Sequence, residues 1–467
     1  MWRVVGKRTR VDNCYGRCSA HHLVNLLVRL GPTTISRMNS LTSFRNIHVS
    51  ERPPTHRRLW IVTVCATCVI FGVSQIMDVV GAWYLRRFDE QCHRLIAHER
   101  ERVESQRRAV VFGEPLDQNA AVWYRMAFAK LTPLPTGTRQ LLKEAVARGF
   151  ASDPAKLHAL LDDRCQEVRS RRVQDALRCT HCDWGLPYRL ADGPTWEFNS
   201  EALTLAYCQV LNGQVLASEG DWHGALFSYG KTLSYGSDFN AGDFALNLEG
   251  IIIWKAGLEG LRALVSAVRD DRRILDEARQ QLSKFEGSLP TVRSGFRFQR
   301  LYVATGLASD TLAYLAERRV GVRRFVPWRA WAAWRLSRDV PLVEALGEAV
   351  DVKNSDELAR VASRVTPQVG RSKREWMASE VRVERWLQFV DEAEKVARSY
   401  RALEVAIKLQ EWHADHAEYP IGTGGLDVPA DLYGLTYDRT DAGKGYRLVA
   451  GSGDGAVVLE ERRSTQR

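Results

Sequence analysis

The stretch Leu59–Met77, LWIVTVCATCVIFGVSQIM, runs nineteen residues without a charged side chain and is closed by Asp78. At about 1.5 Å of rise per residue, a helix of this length covers roughly 28 Å, close to the ~30 Å hydrocarbon core of a bilayer. Core helices of water-soluble proteins seldom stay uncharged for so long. The run is also long for a cleaved signal peptide, and no small-x-small site follows it. Cys65 and Cys68 follow Val64 and Thr67, where a lipoprotein site wants Gly, Ala or Ser, so both read as small apolar helix residues. The sequence predicts a transmembrane anchor that, with its exit, occupies residues 59–85.

Outward toward the N-terminus, residues 1–58 hold eleven Lys or Arg against Asp12 and Glu51, which accounts for +9 of the formal net charge of +10. The other 409 residues carry +1. A nucleic-acid-binding domain needs a concentrated basic face to displace counterions, and the large C-terminal part has no such surplus, so no nucleic-acid partner is expected. Cations in front of an apolar segment are retained on the cytoplasmic side during insertion. Arg57 and Arg58 stand directly before the run, while Arg86 and Arg87 after it are diluted by Asp78, Asp89 and Glu90. The expected topology is single-pass at a bacterial inner membrane. Residues 1–58 form a disordered cytoplasmic tail, and the bulk of the chain lies in the periplasm. Met38 is a second candidate start that leaves a shorter basic tail.

Outward toward the C-terminus, 86–112 is densely charged with scattered Leu, Ile and Val, the pattern of a solvated helical stalk. From 113 to 398 the pattern predicts an all-helical body. Asn119 stands before AAVWYRMAFAKL, Thr138 before RQLLKEAVARGF, and Asp153-Pro154 supplies a cap and first-turn proline before AKLHALLDD. Further helices are expected at 200–218, 222–235, 242–266, 268–286, 291–319, 327–347, 355–364 and 372–417. Strand alternation is nearly absent until the last fifty residues. There Pro420 stops a long helix, and LTYDRT and YRLVAG read as two short strands turned at Asp441–Lys444. The fold class is mostly α, with a small α+β end at 399–467.

Two segments resemble known families. Gly213, Gly220-Asp221, Ala225-Leu226, Tyr229 and Leu233 in LNGQVLASEGDWHGALFSYGKTL are similar to one tetratricopeptide unit, in which small residues let two helices approach across a Gly-Asp turn. This resemblance implies a binding scaffold. The end ALEVAIKLQEWHADHAEYP, with Tyr437, Gly445-Tyr446-Arg447-Leu448 and Gly453-Asp454-Gly455, resembles over roughly seventy residues the globular end of type II secretion pseudopilins. That resemblance implies a helix followed by a small antiparallel sheet. The whole layout resembles bacterial membrane-anchored envelope proteins with a helical body.

Candidate chemistry is local. Cys179-Thr-His-Cys182 can bind zinc, exchange thiols or close a disulfide, because two intervening residues bring both sulfurs to one side of a turn. Zinc would draw its other ligands from His181, Cys165 and Cys208. Cys165 and Cys208 can also pair with each other or with this motif, and the connectivity stays open. His413 and His416 share a helix face at metal-pair spacing, against a solvated polar face as the plainer reading. Asp454 between glycines, with Asp438 and Asp441, is a calcium candidate against a polar turn. Trp328, Trp331 and Trp334, among Arg323, Arg324, Arg329, Arg335 and Arg338, form a core stripe, a surface for a membrane interface or anionic partner, or a face for stacking carbohydrate.

No serine-hydrolase elbow, dinucleotide fingerprint or kinase set appears, and Gly422-Thr-Gly-Gly425 lacks the strand, helix and Lys of a phosphate loop. The expectation is an anchored scaffold or binding protein with a membrane and a protein as partners. It names no catalytic residue and no cofactor. The alternatives are an envelope hydrolase, metal-assisted through the Cys or His pairs, and a component of secretion or pilus assembly.

Overall fold

The structure is a computed structural model and describes residues 54–104, 110–131, 136–148, 154–184, 198–240, 244–268, 271–316, 327–352, 355–369, 383–426, 428, 434–440, 444–450 and 457–461. The basic tail before residue 54 lies outside them. The chain divides into two compact units, one drawn from Met1–Leu85 and Glu317–Ser337, the other from Arg86–Ala316 and Arg338–Arg467.

Helix α1 (Pro54–Glu104) carries the apolar run. It is the one helix among the described residues long and apolar enough to cross a membrane. Leu59, Trp60, Val62, Val69, Ile70 and Ile76 all stand well exposed along it, an apolar patch larger than scattered surface hydrophobics make. Its polar groups are satisfied internally: the Thr63 and Thr67 hydroxyls donate to the carbonyls one turn back, at 2.9 and 2.8 Å. The segment expected as a solvated stalk stays helical to Glu104, and most of its described residues are exposed, with two of them turned inward. Cys92 and Glu99 are buried, and Arg300 Nη1 donates to Glu99 Oε1 at 2.8 Å. Charge density alone suggested solvent there, and a partner supplied from two hundred residues away is what lets Glu99 leave it.

The body follows as β1 (Leu116–Asn119), α2 (Ala120–Phe128), α3 (Thr136–Arg148), α4 (Pro154–Arg164), α5 (Arg171–Arg178), β2 (Cys179–His181), α6 (Asn199–Ser218), α7 (Trp222–Ser237), α8 (Phe244–Ala267), α9 (Arg272–Ser283) and α10 (Val292–Ala316). After these come α11 (Trp328–Ser337), α12 (Val340–Ala349), α13 (Ser355–Val369) and α14 (Val383–His416). The expected all-helical body is interrupted by a short parallel ladder, β1 with β2, in register Leu116↔Cys179 and Asn119↔His181. No alternation of apolar and polar residues announces strands this short. The single helix expected at 327–347 is two. Pro341 occupies the first turn of α12, where it lacks a donor for a continuing helix, and Asp339 takes the cap position with its carbonyl accepting from Leu342 N.

Caps set the main boundaries. Asn119, Ser170, Asp221 and Asp271 each accept from a first-turn amide of α2, α5, α7 and α9. Between α6 and α7, Gly220 turns at φ +81, a conformation glycine adopts without penalty, and Asp221 then starts α7. Helix α7 lies between α6 and α8, and its Tyr229 ring is wedged against Gly213 of α6 and Gly260 of α8. A β-carbon at either glycine would stand 2.5 or 2.4 Å from that ring. A polar clasp closes the same pair of helices: Arg169 donates to Asn212 Oδ1, Asn212 Nδ2 to Ser228 Oγ, and Ser228 Oγ to the Gln209 carbonyl.

Helix α14 begins at Val383 among the described residues, so it crosses the expected boundary at 398/399. It buries Trp386 against Phe296 and hydrogen-bonds the Tyr400 hydroxyl to the Leu282 carbonyl at 2.9 Å. At its end, β3 (Leu435–Thr440), β4 (Gly445–Ala450) and β5 (Val457–Glu461) form an antiparallel sheet in that order. Ala402, Val405, Ala406 and Leu409 pack there with Tyr419, Leu435, Tyr446, Leu448 and Leu459.

Candidate functional site

The Cys179–Cys182 segment is built from both sides. Ser170 caps α5, and the chain leaves that helix directly into β2. The Cys179 side chain is fully buried, and its thiol donates to the Asp175 carbonyl one turn back at 3.2 Å. Asn119 closes the other side: its Nδ2 donates to the Asp183 carbonyl at 2.7 Å, and its Oδ1 accepts from Asp183 N and from Ala121 N. Cys179 belongs to an apolar cluster with Tyr124, Phe128, Trp184, Tyr235 and Phe239, and Cys182 packs against it half-buried. The Trp184 ring stacks near Tyr124 and Phe128 at 5.9 and 6.2 Å. Asp238, itself buried, accepts from the Tyr124 hydroxyl at 2.7 Å on its carboxylate and from Trp184 Nε1 at 2.9 Å on its carbonyl. Burial and the neighbouring carboxylates hold the Tyr235 hydroxyl proton far above its ordinary range. This arrangement fixes a core. A thiol for exchange chemistry needs access and an electropositive setting, and Cys179 is sealed.

The disulfide joins Cys165 to Cys208, residues 43 apart, and ties the turn after α4 to the middle of α6. Among the described residues no three His, Cys, Asp or Glu side chains gather to hold a metal. His413 and His416 share a helix but engage different aromatic partners: His413 lies 4.6 Å from the Tyr419 ring, and His416 stacks on Trp412 at 4.1 Å while its Nδ1 donates to the Trp412 carbonyl. The solvated polar face expected there is therefore partly an aromatic one. Of the calcium candidates, Asp438 is exposed on β3, and Asp441 and Asp454 lie outside the described residues. The glycines at 422–425 end in a short 3-10 turn, where a β-carbon on Gly425 would meet the Trp412 ring at 2.8 Å. On the body surface the Lys231 ammonium sits 4.2 Å over the Phe227 ring, and burial lowers its pKa to about 8.

The three tryptophans open a different setting, inside the smaller unit. Helix α11 starts after Pro327, whose carbonyl accepts from Trp331 N but whose side chain has no cap acceptor. The acceptor comes from α1: Asp78 Oδ1 takes the Arg329 amide at 2.8 Å, and its other oxygen lies 3.7 Å from the Arg329 guanidinium. A carboxylate at a helix N-terminus also meets the positive end of the helix dipole. One turn further along α1, Gly81 lets the backbones touch, since a β-carbon there would stand 2.2 Å from Ala330 N. Ala332 and Leu336 are buried, Trp328 and Trp334 half-buried, and Trp331 is 38% exposed. Trp328 and Trp331 stack at 4.6 Å, and the Arg335 guanidinium lies 5.4 Å from the Trp331 ring. A simple core stripe does not describe this helix. Asp78 and Gly81, which seat it, carry no motif, and only their place at the end of the uncharged run could have drawn notice. Arg323 and Arg324 lie outside the described residues.

Comparison with protein-family models, with curated proteins and with solved structures found no match to this chain.

Proposed function

We propose that this chain is a single-pass protein of a bacterial inner membrane, with its N-terminus in the cytoplasm and its helical body exported, where the body serves as a scaffold or binding domain for a protein partner. The observation that carries this reading is the Cys165–Cys208 disulfide, because such bonds persist in oxidising compartments and the basic flank before the anchor directs the body to that side. The antiparallel packing of α6, α7 and α8, with a tyrosine held between two glycines, supports a tetratricopeptide-like stack, a class of architecture used for binding. A second reading, a component of secretion or pilus assembly, is favoured by the end of α14 and its three-stranded antiparallel sheet, the arrangement of a pseudopilin-like module.

The test is a pair of fusions in a Gram-negative host. Alkaline phosphatase placed after Arg467 is expected to be active, and placed after Arg58 inactive; the reverse pattern overturns the topology. Turnover of a broad panel of hydrolase substrates by the purified full chain overturns the scaffold reading.

A further inference from the structure

We propose that helix α11 is an interfacial helix that rests in the phospholipid headgroup layer where the anchor leaves the hydrocarbon, with Trp331 and Arg335 as its lipid-facing groups. The inference rests on the anchor reading above and takes it further, by naming the lipid contact made outside the span.

The first argument is depth. The uncharged run ends at Met77, and the seat of α11 is Asp78 and Gly81, within about 6 Å of helix rise beyond it. The headgroup layer on each side of a bilayer is roughly 5–8 Å thick, so the point where α11 is fastened coincides with that layer. The second argument is placement within one compact unit. Asp78, Gly81 and α11 belong to it together, and the contact between them is backbone-close, so where the anchor exits, α11 is held. The third argument is chemistry. Trp328, Trp331 and Arg335, at spacings of three and four, share one stripe, and two stacked indoles bearing a guanidinium suit neither hydrocarbon nor open water. Indole rings concentrate at the membrane–water interface, and a guanidinium is matched in geometry to lipid phosphate. Ala332 and Leu336, roughly a quarter turn round the helix from that stripe, are buried in the protein. The exposed share of Trp331 is thus explained by a surface that is half apolar and half anionic.

The test uses the full chain reconstituted in phosphatidylcholine–phosphatidylglycerol vesicles whose acyl chains are brominated either near the headgroup or near the methyl end. Tryptophan quenching is compared between the wild type and Trp331→Phe, so that the difference reports Trp331 alone. The expected result is a Trp331 component quenched by the shallow bromines and spared by the deep ones. Gly81→Leu, which displaces α11 from its seat, is expected to abolish that component, and Arg335→Glu, which leaves Trp331 in place, to weaken it. Retention of the protein by vesicles washed in alkaline carbonate is scored in parallel. A carbonate-resistant wild type whose Trp331 is not quenched overturns the interfacial helix while leaving the anchor, and makes the face one for a protein partner. Wild-type protein released by carbonate overturns the anchor and this inference with it. A Trp331 component quenched chiefly by the deep bromines also overturns the headgroup assignment.

Discussion

Asp78 and Tyr229 show how much a single residue decides in this chain. Asp78 closes the apolar run and also caps a helix that begins 250 residues later, so one carboxylate marks the end of the run and fastens α11 to it. Tyr229 is fixed between Gly213 and Gly260 with its hydroxyl buried and without a hydrogen-bond partner among the described residues. A desolvated hydroxyl left unpaired costs about 1–3 kcal/mol. Tyr229→Phe is therefore expected to raise stability by about 1 kcal/mol in denaturant unfolding of the detergent-solubilised full chain. Gly213→Ala, which drives a methyl into the ring, is expected to lower it by about 1–3 kcal/mol. Equal effects of the two changes would mean that the ring is free to move.

At the scale of the elements, an ion pair holds the charged continuation of α1 against the body. Glu99 on α1 is almost wholly buried, Arg300 of α10 reaches it, and Gly347 of α12 leaves room for that guanidinium, where a β-carbon would stand 3.0 Å from it. Removing one partner of a buried pair strands the other charge, at a cost of about 3–5 kcal/mol, whereas replacing both is close to neutral. Arg300→Met is expected to fall near the lower end of that range, since the arginine keeps some solvent, and Glu99→Leu combined with Arg300→Met to recover most of the loss. A double variant as unstable as the single one would show that packing, not the unpaired carboxylate, sets the cost.

Helix starts were legible element by element wherever a cap announces itself, as Asn119 before α2 and Gly220-Asp221 before α7 do. The β1–β2 ladder and the break between α11 and α12 were not, because three- or four-residue strands and a proline tolerated in a first turn leave no periodic trace. The stripe of tryptophans was visible in the sequence. Its seat on Asp78 and Gly81 was not, since no local pattern relates residues so far apart.

For the molecule as a whole, composition and the uncharged run were enough to give a mostly helical chain with one possible span, and the disulfide pairing needed three dimensions. Cross-linking residues 43 apart removes about 4 kcal/mol of chain entropy from the unfolded state in the loop-closure account. The Cys165→Ser, Cys208→Ser double variant is expected to unfold earlier by about that much, and reduction of the wild type to bring it to the same midpoint. A wild type indifferent to reductant would mean that the thiols are not joined in the native protein, which would also remove the main support for an oxidising compartment.

The cap on Arg329 has a consequence in time. Asp78 and Arg329 are separated by 251 positions, and ribosomes add roughly 5–20 residues per second, so the apolar run of α1 leaves the ribosome some tens of seconds before the helix that it seats. Through that interval most of the body is being made while Gly81 has no Ala330 beside it and the Asp78 carboxylate has no Arg329 amide to accept. The smaller unit is thus finished late, by a segment returning from deep in the chain, and a nascent protein arrested before residue 328 would carry the complete apolar helix without the helix that Asp78 caps.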